Sequence, residues 1–143
     1  MEHFVSNQVG RTFILKLTQG DDAIHSIKVL VEQEHIENAV IVSGIATFDR
    51  SRLHMISTTG YPIEVDIEER KDVPLEVASV DGFICDGEPH VHCVISNKEG
   101  AYAGHMLEGC RILYLGEFVI QELLGMQIHR HLTEKGANHI FSK

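Results

Sequence analysis

A chain of 143 residues, 43% hydrophobic and 23% charged, has the size and composition of one ordinary globular domain, and intrinsic disorder does not fit it. Twenty-one acidic residues against twelve basic ones leave a net charge of −9, a sign that opposes phosphate backbones and anionic membrane surfaces. No basic stretch followed by an apolar run opens the sequence, and no apolar run approaches the roughly 18 residues of a membrane span. Cys85, Cys93 and Cys110 form no C-x-x-C pair, so a soluble, cytoplasmic protein with free thiols is expected.

In RTFILKLTQG, Phe13, Leu15 and Leu17 alternate with Thr12, Lys16 and Thr18, and Gly20 closes the run, the pattern of a first strand. Asp21 or Asp22 then caps a helix whose apolar positions Ile24, Ile27, Leu30 and Val31 recur at helical spacing. His25 and His35 ride on that helix as surface or packing residues, His35 near the terminal dipole. The apolar run Ala39 to Val42 reads as a strand buried on both faces, with Gly44 admitting another backbone. Further strands are expected in RLHMIST, IEVDIEER, LEVASVDGFI, HVHCVIS, AYAGHM and CRILYLGEFVI, separated by the turn signals TTGYP, KDVP and NKEG. The carboxylates of IEVDIEER read as a solvated strand face, with Ile63, Val65 and Ile67 together on one side. Short, mostly antiparallel strands thus follow one early helix. The last segment, QELLGMQIHRHLTEKGANHIFSK, is expected to begin as a short helix weakened by Gly125.

Ten histidines are the compositional excess, and three of them fall on neighbouring strands. Side chains alternate along a strand, so His90 and His92 share a face while Val91 and Cys93 take the other. If NKEG is a four-residue hairpin loop with Gly100 in a left-handed conformation, Ser96 pairs with Ala101. His92 then falls directly opposite His105, and His90 lies one diagonal step away. Opposed Cβ atoms stand roughly 4.5–5.5 Å apart and diagonal ones roughly 7–8 Å, within reach of one ion. A three- or five-residue loop, or a bulge, would turn His105 to the other face. Gly104 is expected to leave room over the strand for a ligand or metal.

Three neutral imidazoles without a thiolate suit Zn²⁺, at about 2.0–2.1 Å per nitrogen, and leave a fourth tetrahedral position free. Nickel, copper and iron also accept imidazole. The plainer alternative is that the three rings look separately at solvent. His129 and His131 repeat the H-x-H spacing, but on a helix positions i and i+2 do not share a face. Cys93 points away from the histidines and Cys110 lies past the hairpin, so both belong to the core. No G-x-S-x-G elbow, G-x-G-x-x-G turn or P-loop occurs.

PLEVASVDGFI, followed by PHVHCVISNKEGAYAGHMLEGCRILYLGEFVI, resembles the PPC domain, also called DUF296 or PD1-like, which stands alone in prokaryotes and is joined to AT-hooks in plants. Pro74, Leu75, Glu76, Ser79 and Gly82 match the first part of the prokaryotic pattern. His90, His92, Gly104, His105, Gly109 and Glu117 match the second, and Ala103 stands where the family often has another glycine. The likeness spans about residues 8 to 124 of a single domain covering 1–143, with 125–143 as a tail. It implies an α+β fold with a central, mostly antiparallel sheet and flanking helices, assembled as a homotrimer. It also implies a metal site at His90, His92 and His105, and Glu117, at a matching position, is expected either to approach that site from a neighbouring strand or to support one of its ligands.

Members of the family are often described as DNA-binding. This chain has no R-G-R-P hook, no basic stripe and a net charge of −9, so direct DNA binding is not expected. The expected function is that of a metal-binding homotrimeric domain of unassigned reaction, with a small-molecule ligand and no membrane partner. Two alternatives stand beside it. One is a zinc-dependent enzyme acting on a small molecule, with Glu117 as acid or base. The other is a DNA-associated regulatory or interaction module without catalysis.

Overall fold

Alternation in the first strand, β1 (Gln8–Thr18), sends Phe13, Leu15 and Leu17 toward the core and leaves Thr12, Ile14 and Lys16 outside. The structure is a computed structural model and describes residues 1–143. Helix α1 (Ala23–Glu34) follows, with Asp22 as its N-cap. One carboxylate oxygen of Asp22 accepts from the His25 amide at 2.9 Å and the other from the Gly109 amide at 2.6 Å, which ties the helix start to a distant turn. The helix stops where His35 adopts a left-handed conformation (φ 54°) and its amide donates back to the Val31 and Glu32 carbonyls. His25 and His35 are therefore an exposed helix residue and a C-cap. Ala23, Ile24, Ile27 and Val31 form the buried stripe.

Two pairs of expected short strands are each one long strand. β2 (Ala39–Ile56) runs NAVIVSGIAT into RLHMIST, and β3 (Val65–Cys85) runs IEVDIEER into LEVASVDGFI. KDVP does not turn the chain. Asp72 takes φ 57° there, and the β2–β3 register shifts between Phe48 and Arg50. An irregularity of this kind bends and twists a ribbon without ending it.

Three more strands complete the sheet: β4 (Glu88–Ser96), β5 (Ala101–Met106) and β6 (Arg111–Leu124). The order is β1-β6-β2-β3-β4-β5, every pairing is antiparallel, and β5 also returns to pair with the far half of β2. β2, β3, β4 and β5 thus close on one another, while β6 and β1 extend from the first half of β2. The core lies between the inner face of this sheet and α1. Ile27, Phe48 and Phe118 are fully buried in it, and each such side chain stabilises the fold by about 1.5–3 kcal/mol.

The α+β class and the antiparallel sheet stand; the flanking helices do not. A single helix covers a single face, so the run Ala39 to Val42 is buried on one side only, and Val42 remains 55% exposed. Ile14 and Ile45 on the same uncovered side are 76% and 49% exposed. The expected C-terminal helix is absent too. Gln121 to Leu124 continue the β6 ladder against β1, Gly125 turns the chain with φ 74°, and β7 (Ile128–Leu132) and β8 (Asn138–Ser142) form a separate hairpin. At this same end of β1, the Arg11 guanidinium meets the buried Glu122 carboxylate through Nε (2.9 Å) and Nη2 (2.8 Å) and reaches Glu34 at 2.7 Å. That cluster pins β1, β6 and the end of α1 together, and Arg11 holds the Glu122 carboxyl below its usual range. No helix of the chain is long and apolar enough to cross a membrane.

Candidate metal centre

The loop between β4 and β5 is the four residues Asn97 to Gly100, closed by the Asn97 amide donating to the Gly100 carbonyl at 2.9 Å. Gly100 does not take the left-handed conformation expected of it. Instead Asn97 Oδ1 accepts from the amides of Glu99 (2.9 Å) and Gly100 (3.2 Å), an Asx turn that organises the loop without a positive φ. Loop length is what the register needed, and it is as expected: Ser96 pairs with Ala101 and His92 with His105.

Val91, Cys93 and Met106 are buried on the core side, so His90, His92 and His105 stand together on the outer side of the hairpin. His90 Nε2 lies 3.0 Å from His92 Nε2. One ring nitrogen of each of the three histidines lies within 4.8 Å of the others. The His90 and His92 rings stack at 5.1 Å between centroids, and His105 presents its ring edgewise to them at 4.7 and 5.3 Å.

The return of β5 to β2 adds a histidine that local sequence does not reveal. His54 sits opposite His105, and the two rings stack at 4.5 Å. Ile67, His54, His105, His92 and Asp81 therefore form one continuous row of cross-strand partners. A Cβ on Gly104 would come 2.8 Å from the His54 carbonyl oxygen and 3.2 Å from Leu53 Cβ. Gly104 thus admits the neighbouring strand, and the room expected over it for a ligand is filled by β2.

Burial lowers the affinity of all three rings for a proton. For His105 burial and the neighbouring rings of His90 and His54 bring the value down to about 4. His90 and His92 are lowered by burial first. At neutral pH the cluster presents uncharged imidazoles with free lone pairs. Two nitrogens on one tetrahedral zinc stand roughly 3.3 Å apart, close to the observed His90–His92 separation, and a ring nitrogen of His105 lies within 4.8 Å of both. The residues therefore fit a divalent metal ion. Burial also pushes the Cys93 thiol up and the Cys110 thiol up to about 11, so both stay protonated in the core.

Glu117 is not brought to this cluster. It lies exposed on β6 opposite Lys16 and Ile45, and the stretch of β2 from Ile45 to His54 spans on the order of 20–30 Å. His129 and His131 share a face after all, because β7 is a strand. With His139 opposite His131, they surround Phe141 at centroid distances of 6.1, 6.3 and 6.5 Å without gathering their nitrogens on one point. Arg130 between them takes the other face of β7, where its charge bears on His90 and His105. Sequence offered no signal for Arg130, because its segment reads as a helix and not as the strand it forms.

Fold and site together define a sheet-rich α+β domain that carries a histidine cluster on the outside of one hairpin. Its family follows from the sequence profile of the Plants and Prokaryotes Conserved (PCC) domain, which matches residues 5–124: the chain belongs to that family. Among solved structures it is similar to a plant- and prokaryote-conserved (PPC) protein of Pyrococcus horikoshii, with 29% identity, a TM-score of 0.79, and 96% of this chain and 94% of that one covered. It is also similar to a metal-containing protein of Archaeoglobus fulgidus, with 23% identity, a TM-score of 0.84, and 99% and 100% covered. A protein of Bacteroides thetaiotaomicron, provisionally named DNA-binding, superposes with 18% identity, a TM-score of 0.79, and 97% of both chains covered. At these identities the last two likenesses are of fold. No curated protein matches the chain in sequence.

Proposed function

We propose that His90, His92 and His105 hold one divalent metal ion, zinc in the first instance, in a homotrimeric domain that binds a small molecule. The observation that carries this reading is the convergence of the three rings, with His90 Nε2 and His92 Nε2 3.0 Å apart. The metal content of the Archaeoglobus relative agrees with it. Three protein ligands and a free position are the arrangement in which a bound zinc supplies a Lewis acid.

The chain's own contribution is to keep three imidazoles neutral and to fix His105 against the ring of His54. Glu117, expected as the acid or base, does not stand beside the cluster, so the reaction stays unassigned. Glu117 lies instead on the uncovered side of β1, β6 and β2, beside exposed Ile14, Ile45 and Leu115. That apolar side supports an assembly of copies, in which Glu117 stands at the contact. Direct DNA binding is disfavoured by a charge of −9 and by the engagement of Arg11, Lys28, Arg52, Arg70, Lys71, Arg111 and Lys143 in ion pairs.

Elemental analysis of the purified protein tests the assignment. Wild type is expected to carry about one zinc per chain and His92→Ala none, since two imidazoles cannot supply the usual minimum of three protein ligands. Equal metal in the two proteins refutes it.

A further inference from the structure

One stretch of the outer face gathers positive charge in a chain whose net charge is −9. The β2–β6 register sets Arg50 opposite Arg111, and the β2–β3 register sets Arg50 opposite Lys71. Three cations therefore sit side by side across β6, β2 and β3, although like charges in directly opposed positions destabilise a sheet. Arg52, two positions along β2, adds a fourth on the same side.

The acids nearby are already committed. Asp49 places its two oxygens on the Arg111 guanidinium, at 2.8 Å each. Glu69 divides its oxygens between Arg52 (3.1 Å) and Lys71 (2.9 Å). Asp72 adds its charge beside Arg111. Arg52 and Arg70 each reach a carboxylate, whereas Arg50, in the middle of the row, makes no ion pair. Against Arg50 lies a recess of 180 Å³ lined by Arg50, Ser51, Arg52, Glu69, Lys71 and Gly109, with no apolar residue among them. Gly109 walls it without a side chain, and a Cβ there would stand 3.4 Å from the Cβ and Cδ of Arg52. A small recess flanked by three cations and one shared acid suits neither an apolar ligand nor a metal cation. It suits an anion.

We infer that this recess binds a phosphate group, inorganic or carried by a small molecule, with Arg50 and Lys71 as its principal contacts. The planar fork of Arg50 offers two parallel donors to two oxygens, and the Lys71 ammonium adds a point charge for a third. A dianion also relieves the repulsion that the opposed cations impose on β6, β2 and β3. Arg50, Arg52 and His54 alternate along β2, so the recess opens on the same outer face as the histidines. None of its lining residues belongs to that cluster, and the inference stands apart from the metal reading.

The full chain as purified is titrated by calorimetry with inorganic phosphate and, separately, with glycerol 3-phosphate, at an ionic strength held constant with potassium chloride. Wild type is expected to bind at least one of them saturably, one per chain, and the tighter arm tells free phosphate from a phosphate ester. Arg50→Gln and Lys71→Gln are each expected to bind roughly tenfold more weakly or worse, while His92→Ala binds as wild type does. Thermal unfolding separates recognition from structure. Without phosphate, Arg50→Gln is expected to melt no lower than wild type, because a repelling charge is gone; saturating phosphate raises the midpoint of wild type and not that of the variant. Wild type without saturable binding overturns the inference, and so does undiminished binding in both Arg50→Gln and Lys71→Gln. Binding lost in His92→Ala but kept in those two places the anion at the histidines and overturns it as well.

Discussion

The His105 imidazole is held at about 4, chiefly by burial and then by the rings around it, against an ordinary value near 6.5. The fold therefore prefers the neutral ring, and the sign follows directly. Above about pH 6.5 the ring is neutral both folded and unfolded, and the full stability is present; as the pH falls toward 4 the unfolded chain takes up the proton first and stability is lost. Metal-free protein is accordingly expected to lose urea resistance between pH 6.5 and 4, and His105→Gln to lose less over that window. Superimposable pH profiles for the two proteins contradict this.

His54 gives a second prediction at the same scale. Its ring lies against the face of His105 without being one of the three gathered ligands, so it acts by orienting. His54→Ala is expected to weaken zinc affinity about 10- to 100-fold in a chelator competition, the range seen when the support of a ligand is removed. Complete loss of metal, as in His92→Ala, makes His54 a ligand; unchanged affinity makes it a bystander.

Among the elements, the β4–β5 hairpin was legible in the sequence, because everything that fixes it is local. Strand alternation set the shared face, and the length of NKEG set the pairing of His92 with His105, even though the loop is held by the Asn97 side chain and not by Gly100. The closure of β5 onto β2 was not legible. It depends on β2 running unbroken through Asp49 and Arg50 and on β3 passing KDVP, two places where turn-forming residues are absorbed by a register shift and by one positive φ at Asp72. His54 was hidden by that non-local pairing, and Arg130 by a segment that pairs with β8 instead of coiling into a helix.

Gly104 is the point at which this closure can be tested. An added methyl group would meet the His54 carbonyl at 2.8 Å, backbone that cannot swing aside. Gly104→Ala is expected to destabilise the fold by about 1–3 kcal/mol in denaturant unfolding and to weaken zinc binding by displacing His105. An alanine variant with wild-type stability and affinity shows that β2 and β5 have slack there.

For the whole molecule, the family was legible from motifs that the structure places at the hairpin and the tight strand contacts, whereas the number of helices was not. With α1 on one side only, Ile14, Ile45 and Leu115 are left uncovered, the surface that the proposed trimer would bury. Sedimentation is expected to give a trimer for wild type and a smaller species for the double variant Ile14→Asp, Ile45→Asp. A wild-type monomer removes the trimer.

The proposed metal site requires three imidazoles from two neighbouring strands to meet at one ion. Crystals of protein purified with its native metal, measured on either side of the zinc absorption edge, test that most directly. An anomalous peak about 2.0–2.1 Å from a nitrogen of each of His90, His92 and His105 is the expected result. A peak elsewhere on the chain, or a fully ordered cluster with no peak in it, contradicts the account.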